Sequence, residues 1–271
     1  MRRPSWYQEK MLIHAFELLP AWREQRAVSG HMLIALDFDG TIAPIVPHPD
    51  EAQMLPHARP ILTALAHRAD TEIALISGRS LHDLRRRIGI DDLYYAGNHG
   101  LEIHGPDLDD TVPGALELVP RVQHCFRELQ TAVGDIPGVF LENKQLSLSV
   151  HYRMVDEPQA QQKIVDGVHR IFDRDPAGLR LTTGKRVVEI RPDIDWHKGK
   201  ALLYIIEEIE AVRRARMLPL FVGDDKTDED GFAAIHGAGA GVLVGPPDAQ
   251  TAATCYVRTP DEAVALLERL L

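Results

Sequence analysis

Cysteine is scarce: Cys125 and Cys255 are the only two among 271 residues and lie far apart in the chain. Two thiols in so long a chain make no disulfide framework, so stability must come from a packed core, and a reducing, cytoplasmic setting is the simplest expectation. Basic charge is also in deficit, with 30 Lys and Arg against 40 Asp and Glu for a net charge of −10. That balance argues against a nucleic-acid partner, whose affinity rests on neutralised phosphates. It also repels a small anion at long range, so a phosphate site must create its own local positive field. No apolar run suits a membrane span. The stretch Met11 to Leu19 follows Arg2 and Arg3 but is interrupted by His14 and Glu17 and closed by Pro20, a poor signal-peptide pattern. Walker A, His-Glu-x-x-His and Gly-x-Ser-x-Gly motifs are missing, and the thirteen histidines are scattered, which disfavours zinc. The glycines from Gly237 to Gly241 precede an apolar run, the reverse of the dinucleotide fingerprint.

What is present is a repeating pattern. With 45% apolar residues the chain can close a core without staples. Residues 6–26 read as an amphipathic helix in an N-terminal extension of about thirty residues. The run Met32 to Leu36 is continuously apolar and ends in Asp37, as expected of a strand buried on both faces of a parallel sheet. A helical stretch, His57 to Ala69, leads to the run Ile73 to Ile76 and then Ser77-Gly78-Arg79. A helix over Leu81 to Ile88 leads to Leu93 to Ala96. Further on, a helix from Lys198 to Arg214 precedes Leu218 to Val222 and Gly223-Asp224-Asp225. A helix, a strand at Gly241 to Val244, a short helix, a strand near Tyr256 and a last helix complete the chain. Strands alternating with helices define an α/β fold with a doubly wound parallel sheet.

The middle differs. Phe140 to Arg153 alternates with period two, Leu146, Leu148, Val150 and Tyr152 facing one way, so one half-buried strand is expected. Arg180 to Thr183 and Arg186 to Ile190 flank Gly184-Lys185 as a hairpin, and residues 115–133 and 157–173 read as helices. Residues 102–192 are therefore expected to form a smaller α+β domain inserted into a core of residues 1–101 and 193–271.

In open α/β sheets, ligands bind beyond the carboxyl ends of the strands. Asp37-Phe38-Asp39-Gly40-Thr41 occupies such an end. A carboxylate can attack phosphorus to form an aspartyl phosphate, and a second one two residues on can act as acid and then base. Gly223-Asp224-Asp225-Lys226-Thr227-Asp228 ends another strand. Two carboxylates about 4 Å apart repel by roughly 4 kcal/mol at an effective dielectric near 20. Mg²⁺, a hard cation that takes carboxylate, water and phosphate oxygens, would relieve this. The expected ligands are Asp37, the carbonyl of Asp39 and Asp224, with Asp228 acting through water; helix capping is the competing account of Asp228, Glu229 and Asp230. Ser77 is placed to bond a phosphoryl oxygen, and Lys198 to offset charge that develops in transfer. Arg79 can bind ligand or pair with a carboxylate.

The order Asp37-Phe38-Asp39-Gly40-Thr41, Ser77, Lys198, Gly223-Asp224-Asp225 resembles the four signatures of the haloacid dehalogenase superfamily. More specifically, the chain resembles the trehalose-6-phosphate phosphatase family. The resemblance rests on Gly97-Asn98-His99-Gly100-Leu101-Glu102, Glu142-Asn143-Lys144 and Gly184-Lys185-Arg186-Val187-Val188-Glu189-Ile190-Arg191-Pro192. It implies a capped fold of the C2 type, with residues 102–192 as a mobile cap. It implies Mg²⁺ as cofactor, a small sugar phosphate as partner, and phosphate contacts from Thr41, Ser77, Gly78 and Arg79. It further implies that Glu102, Lys144, Arg153, Lys185 and Glu189 touch the disaccharide or its phosphate. On strands, those same side chains can equally form a solvated face. No feature of the sequence fixes an oligomeric state.

Overall fold

The computed structural model describes residues 12–248 and 250–271. A short strand β1 (Ile13–His14) leads into helix α1 (Ala15–Ser29). Pro20 lies inside α1 and does not end it; the helix stops at Gly30, whose positive φ of 80° suits a glycine C-cap. Residues 6–11 of the helix expected over 6–26 lie outside the described residues. The core continues through β2 (His31–Leu36), α2 (Ala58–Ala66), β3 (Thr71–Ile76), α3 (Leu81–Ile88), β4 (Tyr94–Gly97), β5 (Glu102–Gly105) and β6 (Leu108–Thr111). Helix α4 (Val119–Val133), β7 (Phe140–Asn143), β8 (Leu148–His151), α5 (Pro158–Phe172), β9 (Leu179–Gly184) and β10 (Val187–Pro192) form the inserted part. The chain returns to the core as α6 (Lys198–Arg213), β11 (Met217–Gly223), α7 (Glu229–Ala234), β12 (Ala240–Val244), β13 (Cys255–Val257) and α8 (Pro260–Leu270).

Among the described residues the large sheet has nine strands in the order β1-β13-β12-β11-β2-β3-β4-β5-β6. From β1 across to β4 every pairing is parallel. The continuous apolar runs follow from burial on both faces. Met32, Ile34 and Leu36 pack beneath α1, α2 and α8, while Leu33 and Ala35 pack with Leu202, Ile205 and Ile209 of α6. Truncating one of these side chains, such as Leu36→Ala, should cost about 2–5 kcal/mol. From β2 the chain winds to β3 and β4 on one side, and from β11 to β12 and β13 on the other. The tips of β2 and β11 therefore flank the topological switch point, where a crevice opens.

The smaller sheet, β7-β8-β10-β9, is antiparallel. Leu148, Val150, Val188 and Ile190 on one face pack with Val122, Leu129, Ile164 and Val168 of α4 and α5. Its other face carries Ser149 and Glu189, buried against the core.

Three expectations change. The boundary placed at residue 102 falls inside the large sheet, because β5 pairs antiparallel with β4 and β6 with β5. The single strand over Phe140 to Arg153 is a hairpin. Gln145 turns at φ 67°, its N–H bonded to Asn143 Oδ1, and Lys144 N donates to Ser147 O. The core-facing positions change parity across the turn, Leu141 before it and Leu148 and Val150 after it sharing one face, so the period-two set from Leu146 onward describes the second arm alone. In the β9–β10 hairpin, Gly184 pairs with Val187, which makes Lys185-Arg186 the turn, one residue beyond the expected Gly184-Lys185.

Candidate active site

Asp37 directly follows β2, its N–H donating to Val222 O of β11 at 2.9 Å. Gly40 then turns at φ 83°, and a Cβ there would stand 2.3 Å from the Asp224 carboxylate. Gly223 makes room in the same way for Asp228. The two glycines let the backbone tips of β2 and β11 close around acidic side chains. Ligand oxygens of Asp37, Asp224 and Asp228 lie within 4.8 Å of one another. Asp228, though it stands at the start of α7, does no side-chain capping of that helix. Its Oδ2 accepts the backbone N–H groups of Asp224 and Asp225, both at 3.0 Å. Glu229 instead accepts from Thr251 Oγ1 and Ala252 N and anchors the loop before β13.

Lys198, the first residue of α6, is buried and donates to Asp37 Oδ1 at 2.7 Å and Asp228 Oδ1 at 2.8 Å. One ammonium does not balance the cluster. Burial, with Asp228, Asp225 and Asp224 nearby, pushes Asp37 well above the ordinary carboxylate range against the pull of Lys198. Burial and the neighbouring carboxylates raise Asp224 to about 7. Burial raises Asp228 to about 6. Lys198 is driven the other way: burial disfavours its charge, but Asp228 and Asp37 hold it well above its usual value. Three hard oxygen donors with one cation between them fit a site for a divalent ion. Thr41 follows Gly40 and is fully buried, its Oγ1 without a hydrogen-bond partner among the described residues.

The turn Ser77-Gly78-Arg79 forms the third edge. Ser77 is buried and its Oγ accepts Arg79 N–H at 3.3 Å. Arg79 grips Asp39 with two bonds of 2.7 Å, from Nε and Nη2, and also bonds Asp83. Arg79 is thus paired with two carboxylates in this structure.

The inserted part meets the core along a buried seam. Lys144 Nζ donates to Gly78 O at 2.9 Å and to Glu189 Oε1 at 2.8 Å. His99 Nε2, on the core side, lies 3.0 Å from Glu189 Oε2. Here charges match. Burial works against ionised Glu189, but Lys144 and His99 hold it well below the usual range. Lys144 is raised despite burial, chiefly by Glu189. Burial keeps His99 below its ordinary value. Lys185 stands exposed at the tip of the β9–β10 hairpin, where its charge acts on Asp224. Arg153 donates to Val46 O of the core and to Lys185 O. Glu102 belongs to core strand β5. It accepts from Asn98 Nδ2 at 2.6 Å and from Leu81 N at the start of α3, so it supports the Asn98 turn and does not extend from the cap.

The sequence reading passed over Asp83 as a functional side chain and left Asn98 and His99 without roles. Asn98 and His99 are consecutive non-glycine residues with φ of 50° and 59°. Asn tolerates that region, so its presence after a strand was the available signal. Asp83 follows Ser80 at capping-box spacing, which conceals any second role behind a helix start.

A doubly wound core with acidic tips on β2 and β11, a buried lysine opening α6 and an inserted antiparallel sheet is a haloacid dehalogenase-like fold, similar to that of a haloacid dehalogenase-like hydrolase from Bacteroides thetaiotaomicron with a TM-score of 0.62 at 17% identity over 89% of this chain and 100% of that one. The Trehalose-phosphatase family model matches residues 35–256, and the chain belongs to that family of phosphatases. It is 34% identical over 271 residues to "Probable trehalose-phosphate phosphatase 3" of Oryza sativa subsp. japonica, covering 93% of this chain and 73% of that protein. It is 38% identical over 251 residues to "Trehalose-phosphate phosphatase" of Mycobacterium avium, covering 89% of this chain and 62% of that protein. In fold it is similar to the C-terminal domain of Candida albicans trehalose-6-phosphate phosphatase, with a TM-score of 0.75 at 21% identity over 96% of this chain and 98% of that one.

Proposed function

We propose that the chain hydrolyses trehalose 6-phosphate to trehalose and phosphate through an aspartyl phosphate formed on Asp37. The observation that carries this reading is the convergence of Asp37, Asp224 and Asp228 on one point beside Lys198, beneath a cap. A divalent ion, which we take to be Mg²⁺, would be held by Asp37, Asp224 and Asp228 and would offset negative charge on the phosphoryl oxygens when bound.

Asp37 attacks phosphorus in line. Thr41, with its unpartnered buried hydroxyl, and Ser77 donate to phosphoryl oxygens, and Lys198 balances the charge that develops as the P–O bond lengthens. Asp39 gives its proton to the departing sugar oxygen. It then takes a proton from the water that attacks phosphorus and frees Asp37. Lys144 and Glu189 now satisfy each other and Gly78 O, so the sugar must displace these contacts, which requires the cap to lift and close again. We assign Lys144, Glu189 and Lys185 to the sugar or its phosphate, and Arg153 to seating the cap on the loop at Val46.

The test is phosphate release from trehalose 6-phosphate, with and without Mg²⁺, beside sucrose 6-phosphate and glucose 6-phosphate. Preference for trehalose 6-phosphate and loss of turnover with chelator are expected. Preference for another sugar phosphate would reassign the substrate, and tight binding without release would make the chain a sensor.

A further inference from the structure

Resting on that reading, we propose that Asp83, which lies on α3 away from the acidic crevice, is a positioning residue for the acid–base step and acts through Arg79 on Asp39. Arg79 is buried, with 7% of its side chain exposed, whereas Asp39 is 41% exposed. The guanidinium fixes both oxygens of Asp39, through Nε to Oδ2 and Nη2 to Oδ1. Such a two-pronged pair sets the plane of the carboxylate as well as its place. Arg79 is in turn fixed. Nη2 also donates to Pro49 O at 3.0 Å, the guanidinium carbon stands 5.2 Å over the Phe38 ring, and Nη1 donates to Asp83 Oδ2 at 2.7 Å.

Asp83 is the hub. Its Oδ2 also accepts Arg87 Nε at 2.6 Å, and its Oδ1 accepts Arg86 Nη2 at 2.8 Å. Arg87 is held on the far side by the carbonyls of Asp50 and Ala52. One carboxylate therefore separates two buried guanidinium groups. Without its charge they repel, and Arg79 can keep its grip on Asp39 only by shifting.

The chemistry says where such a shift is felt. As the bond from phosphorus to the sugar oxygen breaks, its electron pair stays on that oxygen, which takes the proton of Asp39. Asp39 is left as the carboxylate that the Arg79 fork binds. Water then bonds to phosphorus, passing its proton back to Asp39, while the bond from Asp37 to phosphorus breaks. A sugar alkoxide needs the proton to leave; a nitrophenolate does not. Because kcat/KM covers the steps through release of the first product, it includes the acid step and leaves out hydrolysis of the aspartyl phosphate.

The experiment measures kcat/KM on trehalose 6-phosphate and on p-nitrophenyl phosphate, with a thermal midpoint for each protein. Asp83→Asn should lower the sugar-phosphate value about 10- to 100-fold, because a displacement near 1 Å can cost about 10²-fold. It should lower the aryl-phosphate value less than about threefold, since the proton contribution is not needed there. Arg79→Lys should show the same split, more deeply. Millimolar guanidinium should restore the sugar-phosphate activity of Arg79→Ala, which keeps the test open if Asp83→Asn fails to fold. Arg86→Ala, which removes an exposed partner of Asp83, should leave both values within about twofold. Equal losses on both substrates, unchanged sugar-phosphate turnover in Asp83→Asn, or an Arg86→Ala effect as large would overturn the proposal while the proposed function stands. A wild-type protein that releases phosphate from neither substrate overturns both.

Discussion

The acidic crevice and the cap seam are built from the same ingredients, buried carboxylates and one lysine each, with opposite results. In the crevice three carboxylates surround Lys198, and Asp37, Asp224 and Asp228 are all pushed upward. In the seam one glutamate meets Lys144 and His99, and Glu189 is pushed down. An unbalanced buried cluster is costly to fold and becomes favourable with a cation, so the excess of negative charge is a specification for a ligand. A balanced cluster carries no excess charge to be neutralised and fastens two parts of the molecule together until its contacts are exchanged for others.

Substitutions can break this contrast. The largest effect is expected for Asp37→Asn, which should fold and lose about 10⁴-fold or more of turnover, as removal of a nucleophile does elsewhere; single-turnover phosphate release checks it. Next, Glu189→Ala leaves Lys144 buried without its partner and should cost about 3–5 kcal/mol in urea unfolding. Asp224→Asn should do the reverse in metal-free protein and raise the thermal midpoint, while abolishing the further rise that Mg²⁺ gives wild type. A midpoint lowered by Asp224→Asn would show that the crevice is not under charge strain.

The pH dependence sharpens the same point. Asp224 and Asp228 have folded values of about 7 and about 6 against an ordinary 3.8. Their contribution is fully present below the unfolded value and is lost as pH rises through the folded ones. Metal-free protein should therefore lose stability from about pH 4 to pH 7, and Asp224→Asn should flatten that slope. Glu189 behaves oppositely: its contribution is present above its ordinary 4.5 and falls away only as pH drops through its lower folded value. Thermal midpoints from about pH 7 down to well below pH 4, with and without chelator, read both. The smallest effect is expected for Arg153→Ala, which loses its bond to Val46 O and should cost about 1 kcal/mol.

The sequence carried the core more clearly than the cap. Strands buried on both faces announce themselves as unbroken apolar runs, so β2, β3, β11 and β12 were legible to within two residues. Their carboxyl tips gave Asp37, Ser77 and Asp224. Lys198 came from its place at the start of α6. Legibility failed where structure depends on pairing. The β7–β8 hairpin turns at Lys144-Gln145-Leu146, where neither glycine nor proline marks the bend, and β5 with β6 joins the core sheet by hydrogen bonds that no local pattern encodes. Glu102 was misplaced for that reason. The choice between ligand and ion pair for Arg79 needed Asp39 and Asp83 in space, since the three lie 40 and 4 residues apart.

Gly78 donates nothing by side chain, yet its carbonyl is where the cap lysine lands, between Ser77 and the arginine that holds Asp39. Under the proposed function, the choice of sugar and the speed of its dephosphorylation share three consecutive peptide units. A change that retunes the lid for another sugar pulls on the same backbone that sets the proton donor, so selectivity and rate at this spot are inherited together.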